Sequence, residues 1–471
     1  MKIKIFLIAI IAALTFSCSD EFLDREPISF VNGDSFFNNE EELETAVIDM
    51  YDGIQGVNSN DGRVNSGIQV EFQLTEMRSD NTRTKASEGE QAQFERYEVE
   101  PTNGVVLDYY RSFYNVIFRA NTVLENLEVA TEANAGTFEG EARFVRAYAY
   151  FNLVRLYGDI PLVDRVIAPA DEDISFTRVA TSTIYELIVS DLEVAVANLD
   201  NTHKNRASKA AAETLLAKVH LGLGNYSEAR TLLESVMASG FTLEPEFKDV
   251  FYNEGNNEVI FAIGYIGDNA MDSQNFSAEW LNAKGRTSGI NYLTDEAKAV
   301  LDAMGGNRTR YSYRIDTEQP TQHQVVKYLP DGDMSLGIDP TSSDPTLAGN
   351  DWIVLRYADV LLLHVESILA GNPSTGDAAA LASFQAVRDR AGLTDPVSNI
   401  SLEDLANERR VELAFENHRL FDLMRLGLAE TVLGDFAADN GFSFSATDLL
   451  LPIPDREIGL SKGRMSQNPG Y

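Results

Sequence analysis

Five histidines, one cysteine, two tryptophans and a large surplus of acids are the groups through which this chain could do chemistry. The histidines (His203, His220, His323, His364 and His418) are scattered, and no His-Glu-x-x-His occurs to hold a catalytic zinc. There is no Gly-x-Ser-x-Gly elbow, no Gly-Lys dipeptide to begin a phosphate loop, and no motif that would hold a cofactor. Paired carboxylates for glycoside hydrolysis could be drawn from 73 acids in countless ways, so a surface glycoside hydrolase stays open as the enzyme alternative. The charged run from Glu408 to Arg425 looks reactive, but a helix lined with charges reads as a set of i,i+4 ion pairs. Asp331, Asp333, Ser335 and Asp339 alternate like the oxygens of a calcium loop. Gly337 falls one place late for an EF-hand and no Glu stands at the twelfth position, so a flexible acidic loop is expected and no metal site.

Ligand binding is the more promising chemistry. Sugars are held by aromatic faces stacked on C–H-rich rings, with charged or amide groups on the hydroxyls. Trp280 lies in a polar stretch where a core tryptophan would be out of place, and Asn275, Phe276, Asn282 and Tyr292 could complete a platform around it. A second cluster, Arg78-Ser79-Asp80-Asn81-Thr82-Arg83, follows the half-apolar Ile68 to Met77. Arg78, Asp80, Asn81 and Arg83 suit vicinal hydroxyls or a uronate carboxylate, and a capped, solvated loop is the structural alternative. The other tryptophan, Trp352, is expected to open a helix running over Leu355 to Leu362 and to serve packing.

At the N-terminus, Lys2 and Lys4 precede an uncharged apolar run from Ile5 to Phe16. That is the layout of a signal peptide, too short for the roughly 20 apolar residues of a membrane-spanning helix. The run ends in Leu14-Thr15-Phe16-Ser17-Cys18, which resembles the lipobox of bacterial lipoproteins. Residues 1–17 are therefore expected to be removed, leaving Cys18 lipidated. A lone cysteine in an exported chain cannot form an internal disulfide and needs such an explanation. Two or more acyl chains give stable anchoring, so the membrane is met through the lipid alone. Ser19-Asp20-Glu21-Phe22 looks like an acidic surface-export signal, which would place the anchored body on the outer face of the outer membrane.

A net charge of −35 argues against nucleic acid as a partner and against adhesion to anionic lipid. With 44% apolar and 10% aromatic residues the chain still has material for a large core. Helical periodicity marks Glu40–Gln55, Val105–Leu127, Glu139–Tyr157, Thr181–Leu199, Lys209–Gly222 and Tyr226–Ser239. Leu216, Ala217, His220, Gly224, Tyr226, Ala229, Leu233 and Val236 fall at the spacing of one tetratricopeptide unit. Val360–Gly371 with Ala378–Arg390 suggests a more degenerate pair. Glu258–Tyr265 and Gln324–Leu329 read as short strands amid the long polar stretches Gly267–Thr287, Gly305–Thr321 and Asp331–Asn350, whose length points to function. Helix is expected to resume at Asp351 and to run to about Gly434. The organisation expected is one domain over residues 18–471, mainly α. A helical scaffold over 18–240 is followed by a loop-and-strand insert over 241–350, then by further scaffold and a tail over 351–471.

Fragments spread along the chain carry a family resemblance. They include Cys18 to Pro27, Glu141 to Tyr148 with Leu156-Tyr157-Gly158-Asp159-Ile160-Pro161-Leu162, Leu355 to Leu362, Val387 to Leu393, Glu408 to Arg425, Leu450 to Pro454 and Gln467 to Tyr471. In this order they resemble the SusD/RagB family of surface nutrient-binding lipoproteins. The resemblance implies a SusD-like helical body with tetratricopeptide-like pairs that binds glycan and has no catalytic activity. It also implies that the protein caps a SusC-like TonB-dependent transporter and delivers its catch to it. Peptide capture in the manner of RagB is the alternative. The matching fragments are scaffold, so the family's ligand residues do not transfer to numbered positions here.

Overall fold

The computed structural model describes residues 36–58, 65–167, 176–281, 290–316 and 319–471. Cys18, the Ser19–Phe22 signal and Asn282 lie outside the described residues.

Helix α1 (Glu40–Gln55) starts where the Asn39 side chain accepts the Glu42 amide, with three glutamates stabilised at its positive end. It buries Leu43, Val47, Met50 and Ile54 on one face. Helix α2 (Gly104–Glu125) is capped by Asn103, whose side-chain Oδ1 accepts the Val105 and Val106 amides. Helix α3 (Ala135–Tyr157) is apolar on nearly every side and runs through the middle of the core, covered by α2 and by α4 (Thr181–Asn198). It stops at Gly158, whose φ of +71° suits a residue without Cβ. Helices α5 (Lys209–Gly222) and α6 (Tyr226–Met237) form an antiparallel pair about Gly224, closing over the fully buried Ala217 and Ala229. After α7 (Asp295–Met304) come a second pair, α8 (Tyr357–Leu369) and α9 (Ala378–Arg390), and then α10 (Leu402–Glu412), α11 (Arg419–Arg425) and α12 (Ala429–Asp439).

The strands are short: β1 (Thr82–Arg83), β2 (Ile160–Pro161), β3 (Arg178–Val179), β4 (Val259–Ile263), β5 (Tyr292–Leu293), β6 (Tyr313–Arg314), β7 (Gln324–Val325), β8 (Trp352–Arg356), β9 (Ser374–Thr375) and β10 (Ile400–Ser401). All named pairs are antiparallel, and β4 with β8 is the longest, running from Val259 opposite Arg356 to Ile263 opposite Trp352. Here the structure departs from expectation. Trp352 packs as anticipated, against Phe276 and Tyr328, but it opens a strand, and helix begins only at Tyr357. The β-branched and aromatic run Trp-Ile-Val-Leu finds a distant partner in β4, and that tertiary pairing overrides helical continuity. Helix α7 had no counterpart among the expectations, because its apolar stripe of Ala297, Val300, Leu301 and Met304 is brief. The insert does not stand apart, since Trp280, Tyr328 and Ile338 belong to the same apolar core as α1, α2 and α3. No helix among the described residues is long and apolar enough to cross a membrane.

One polar knot sits inside this apolar body. Glu412 Oε1 accepts from Arg356 Nη1 at 2.6 Å and Glu412 Oε2 from Arg308 Nη1 at 2.8 Å, while Arg390 also pairs with it. Arg356 further reaches Glu258 at 2.8 Å and Glu416 at 2.7 Å, and Lys327 Nζ meets Glu416 at 2.6 Å. Glu408 takes Arg308 at 2.7 Å and Arg388 at 3.1 Å. The charged run around α10 is therefore structural as expected, but most of its pairs are long-range and buried rather than i,i+4. Burial alone would raise the Glu412 pKa, yet Arg390, Arg356 and Arg308 hold it well below the usual carboxylate range. Removing one partner from such a set strands buried charge. Glu412→Ala is expected to lower the unfolding free energy by roughly 3–5 kcal/mol in urea titrations. The exposed Glu403→Ala on the same helix should cost under about 1 kcal/mol.

Candidate functional site

The residues singled out by sequence separate into three fates. Trp280 is only 1% exposed, wedged between Phe72 at 5.4 Å and Phe415 at 5.7 Å between ring centroids. It cannot offer a face to a ligand, which overturns the platform built on it. Its polar surroundings in sequence conceal that Phe276, Ala278 and Leu281 turn inward with it. Phe276 is likewise core, edge-on to Trp352 at 5.2 Å and to Tyr328 at 5.7 Å. Asn275 occupies the position before a short helical turn and donates to Glu279 Oε1 at 3.3 Å.

Arg78, Asp80 and Asn81 are not ligand groups either, nor is their loop solvated. Arg78 is buried and donates to the carbonyls of Leu74 at 3.2 Å and Asp448 at 2.6 Å. Asp80 accepts two hydrogen bonds from one edge of Arg419, from Nε at 2.8 Å and from Nη2 at 2.9 Å, and Arg410 lies 3.0 Å away. Burial works to raise the Asp80 pKa, but Arg410 and Arg419 overcome it and bring it down to about 2. Asn81 Oδ1 accepts from Arg410 Nε at 2.9 Å, and the carbonyls of Asp80 and Asn81 receive the Thr294 hydroxyl and amide at 2.9 and 3.0 Å. Thr294 in turn caps α7. These residues brace the edge on which the next one, Arg83, is presented.

Arg83 and Tyr292 are the two expected residues that the fold brings together. They stand directly opposite each other across the β1–β5 pair, both half-buried, while Thr82 and Leu293 point into the core. A single bridge from Leu293 to His323 sets the β1–β5 and β6–β7 pairs edge to edge as a small irregular sheet; in that register Tyr313 shares the inward face of Leu293, His323 and Val325, while Arg83 and Tyr292 lie on the other. Tyr313 on β6 lies 5.9 Å from the His323 ring, its hydroxyl donates to Asp302 Oδ1 at 2.5 Å, and Lys298 sits 5.5 Å over its ring. Burial raises the pKa of both Tyr292 and Tyr313, which keeps the phenols neutral. The sheet also collects polar atoms with no hydrogen-bond partner in the protein: Thr82 Oγ1, Thr84 Oγ1, His323 Nδ1 and both amide atoms of the 1% exposed Asn291. These atoms are buried beneath the strands and do not reach the surface; what the outward face offers is the Tyr292 ring beside the Arg83 guanidinium. Tyr313, His323 and Asn291 were missed in sequence because two-residue strands leave no periodicity to read.

Other surfaces fit less well. The cleft of about 690 Å³ between α1 and Glu254–Asp272 has much of its polar lining already paired. Gln55 donates to the Gly264 carbonyl at 2.7 Å, and Asp351, pushed up to about 6 by burial, accepts the Tyr265 amide at 2.9 Å. At the expected acidic loop, Asp333 is taken by Arg314 at 2.8 Å and by Ser335, in a hairpin closed through Ile338. With Asp333 consumed and Asp339 turned to solvent, Asp331, Asp333 and Asp339 do not form a cation site. No group of three or more His, Cys, Asp or Glu residues among those described is arranged to hold a metal.

The Asp80 brace gives a pH-dependent expectation. A carboxyl whose folded pKa is depressed stabilises the fold above its unfolded pKa near 3.8, and that contribution fades as pH falls toward about 2. Asp80→Asn should cost roughly 2–4 kcal/mol at neutral pH. The gap from wild type in acid–urea titrations should narrow between about pH 4 and pH 2.

Comparison with known proteins gives matches along the chain. A family model described as starch-binding and associating with the outer membrane matches residues 21–221, and one described as the SusD family matches residues 238–471. SusD-like protein P2 of Formosa agariphila is 26% identical over 518 aligned residues, covering the whole of both chains. Starch-binding protein SusD of Bacteroides thetaiotaomicron is 23% identical, covering 77% of this chain and 78% of its own. Among solved structures, a laminarin-binding SusD-like protein superposes with a TM-score of 0.75 at 26% identity, over 92% of this chain and all of the other.

Proposed function

The chain belongs to the SusD family, and on that premise we propose that it captures glycan at the outer membrane, on the face of the small sheet that carries Arg83 and Tyr292. The observation that carries this reading is a half-exposed tyrosine ring, Tyr292, set directly beside the half-exposed guanidinium of Arg83 on the outward face of the strands. An aromatic face takes the C–H side of a pyranose, and the guanidinium beside it takes hydroxyls. The cations here are already spoken for: Arg83 lies 3.3 Å from Glu95, Lys298 2.6 Å from Asp302 and Arg314 2.8 Å from Asp333. In a chain of net charge −35 that favours a neutral glycan over a uronate or sulfate polymer. The laminarin-binding relative makes a neutral β-glucan the first ligand to try. The protein acts as a binder rather than an enzyme. Its lipid-bearing Cys18 keeps it at the membrane beside a SusC-like TonB-dependent transporter, to which it passes the glycan.

Calorimetric titration of the purified protein with laminarin oligosaccharides, alginate oligosaccharides and mixed peptides tests this. Binding is expected for the neutral glucan, without release of reducing ends. Tyr292→Ala should weaken it by about 1–2 kcal/mol with the thermal midpoint little changed, while Tyr313→Phe, on the opposite face, should leave it unchanged. Preferential binding of peptides, or glucan binding indifferent to Tyr292→Ala, would overturn the proposal.

A further inference from the structure

A second chamber lies on the far side of α3, between its C-terminal half, α4, α5 and α11. Its outer part, about 310 Å³, has walls from Phe151, Tyr185, Phe421, Met424 and Leu450. An inner part of about 40 Å³ continues from it past Arg155 and Lys218, which line both, and reaches Asn152, Asn417 and His418. The guanidinium of Arg155 is sandwiched between two rings, 3.9 Å from the centre of Phe151 and 3.7 Å from that of Phe421. Its Nε donates to the Phe151 carbonyl and one terminal nitrogen to Asn152 Oδ1, which leaves Nη1 without a partner. No carboxylate hydrogen-bonds to it: Glu71, which lines the inner part with Glu416, acts on Arg155 only through space and spends its oxygens on Tyr109 and Asn417. Two buried amides repeat the pattern: Asn152, 2% exposed, has an unpartnered Nδ2, and Asn417, 6% exposed, an unpartnered Oδ1. Lys218 Nζ spends two of its three protons, toward Asp359 Oδ2 at 3.0 Å and His418 Nδ1 at 3.4 Å.

An apolar vestibule leading to two unpartnered donors, Arg155 Nη1 and Asn152 Nδ2, suits a molecule with an apolar body and an acceptor group at one end. We propose that this chamber binds a small monocarboxylate with an apolar body, its carboxylate on Arg155 Nη1 and Asn152 Nδ2 and its chain between Tyr185, Phe421 and Leu450. Arg155 Nη1 then gains the hydrogen-bond partner it lacks, and the charge-assisted bond forms out of water, where it is strongest.

Octanoate is a suitable probe, with 1-octanol as the same chain lacking charge. Calorimetry on the full chain is expected to show one saturable octanoate site and none for 1-octanol. Arg155→Gln should weaken octanoate roughly tenfold or more. Gly222 lines the outer chamber, and a side chain added there meets nothing within 4 Å. Gly222→Leu should therefore fill the vestibule and abolish binding with the fold intact, and it decides the matter if Arg155→Gln fails to fold. Absence of saturable octanoate binding, equal binding of 1-octanol or of acetate, or full binding by Gly222→Leu would each overturn the proposal.

Discussion

Four glutamates with no solvent exposure to speak of, Glu258, Glu408, Glu412 and Glu416, hold five cations inside this protein, and the rest of the fold takes its register from that knot. The cations come from three separate parts of the chain: Arg308 and Lys327 from the insert, Arg356 from the end of β8, Arg388 and Arg390 from α9. Exchanging a buried ion set for apolar side chains is often neutral in energy. What such a set does is forbid alternatives, since any slip of β8 or of the insert would leave several charges unpaired in a dry interior. The acids that make the chain so negative are thus of two kinds, a solvated majority and a few that lock distant segments together.

The proposed glycan-binding face hangs from the same elements. Glu408 and Glu412 face the knot from α10, while Arg410 beside them reaches Asp80 with help from Arg419. Asp80 and Asn81 fix Thr294 through their carbonyls, and Thr294 caps α7. That chain of contacts sets the two strands that place Arg83 opposite Tyr292. Strands of two residues would not persist alone, because each contributes too few ladder bonds and too little buried area. They exist here because their ends are clamped by charged groups already locked in the core.

Helices were legible in the sequence wherever periodicity was long and caps were local. Helix α1 carries its Asn39 cap and α5 its Ser208 cap, and both have the bounds that their patterns imply. What could not be read depends on contacts far apart in the chain. Trp352 looks like a helix opener until β4 pairs with it. Trp280 looks exposed because its neighbours in sequence are polar, though its neighbours in space are Phe72 and Phe415. Of the site, Arg83 and Tyr292 were nameable by residue type, but their apposition was not. Tyr313, His323 and Asn291 enter only through the sheet. Arg78, Asp80 and Asn81 had the chemistry of ligand groups and use it internally, which sequence cannot distinguish from binding.

The account turns on where glycan touches the protein. Hydrogen–deuterium exchange of the intact chain, with and without a laminarin oligosaccharide, locates that contact without altering a residue. Slowed exchange is expected in peptides covering residues 82–96, 290–296 and 312–325, with the α5–α6 pair unaffected. Slowed exchange confined to the cleft between α1 and residues 254–272, with the sheet unchanged, would contradict it.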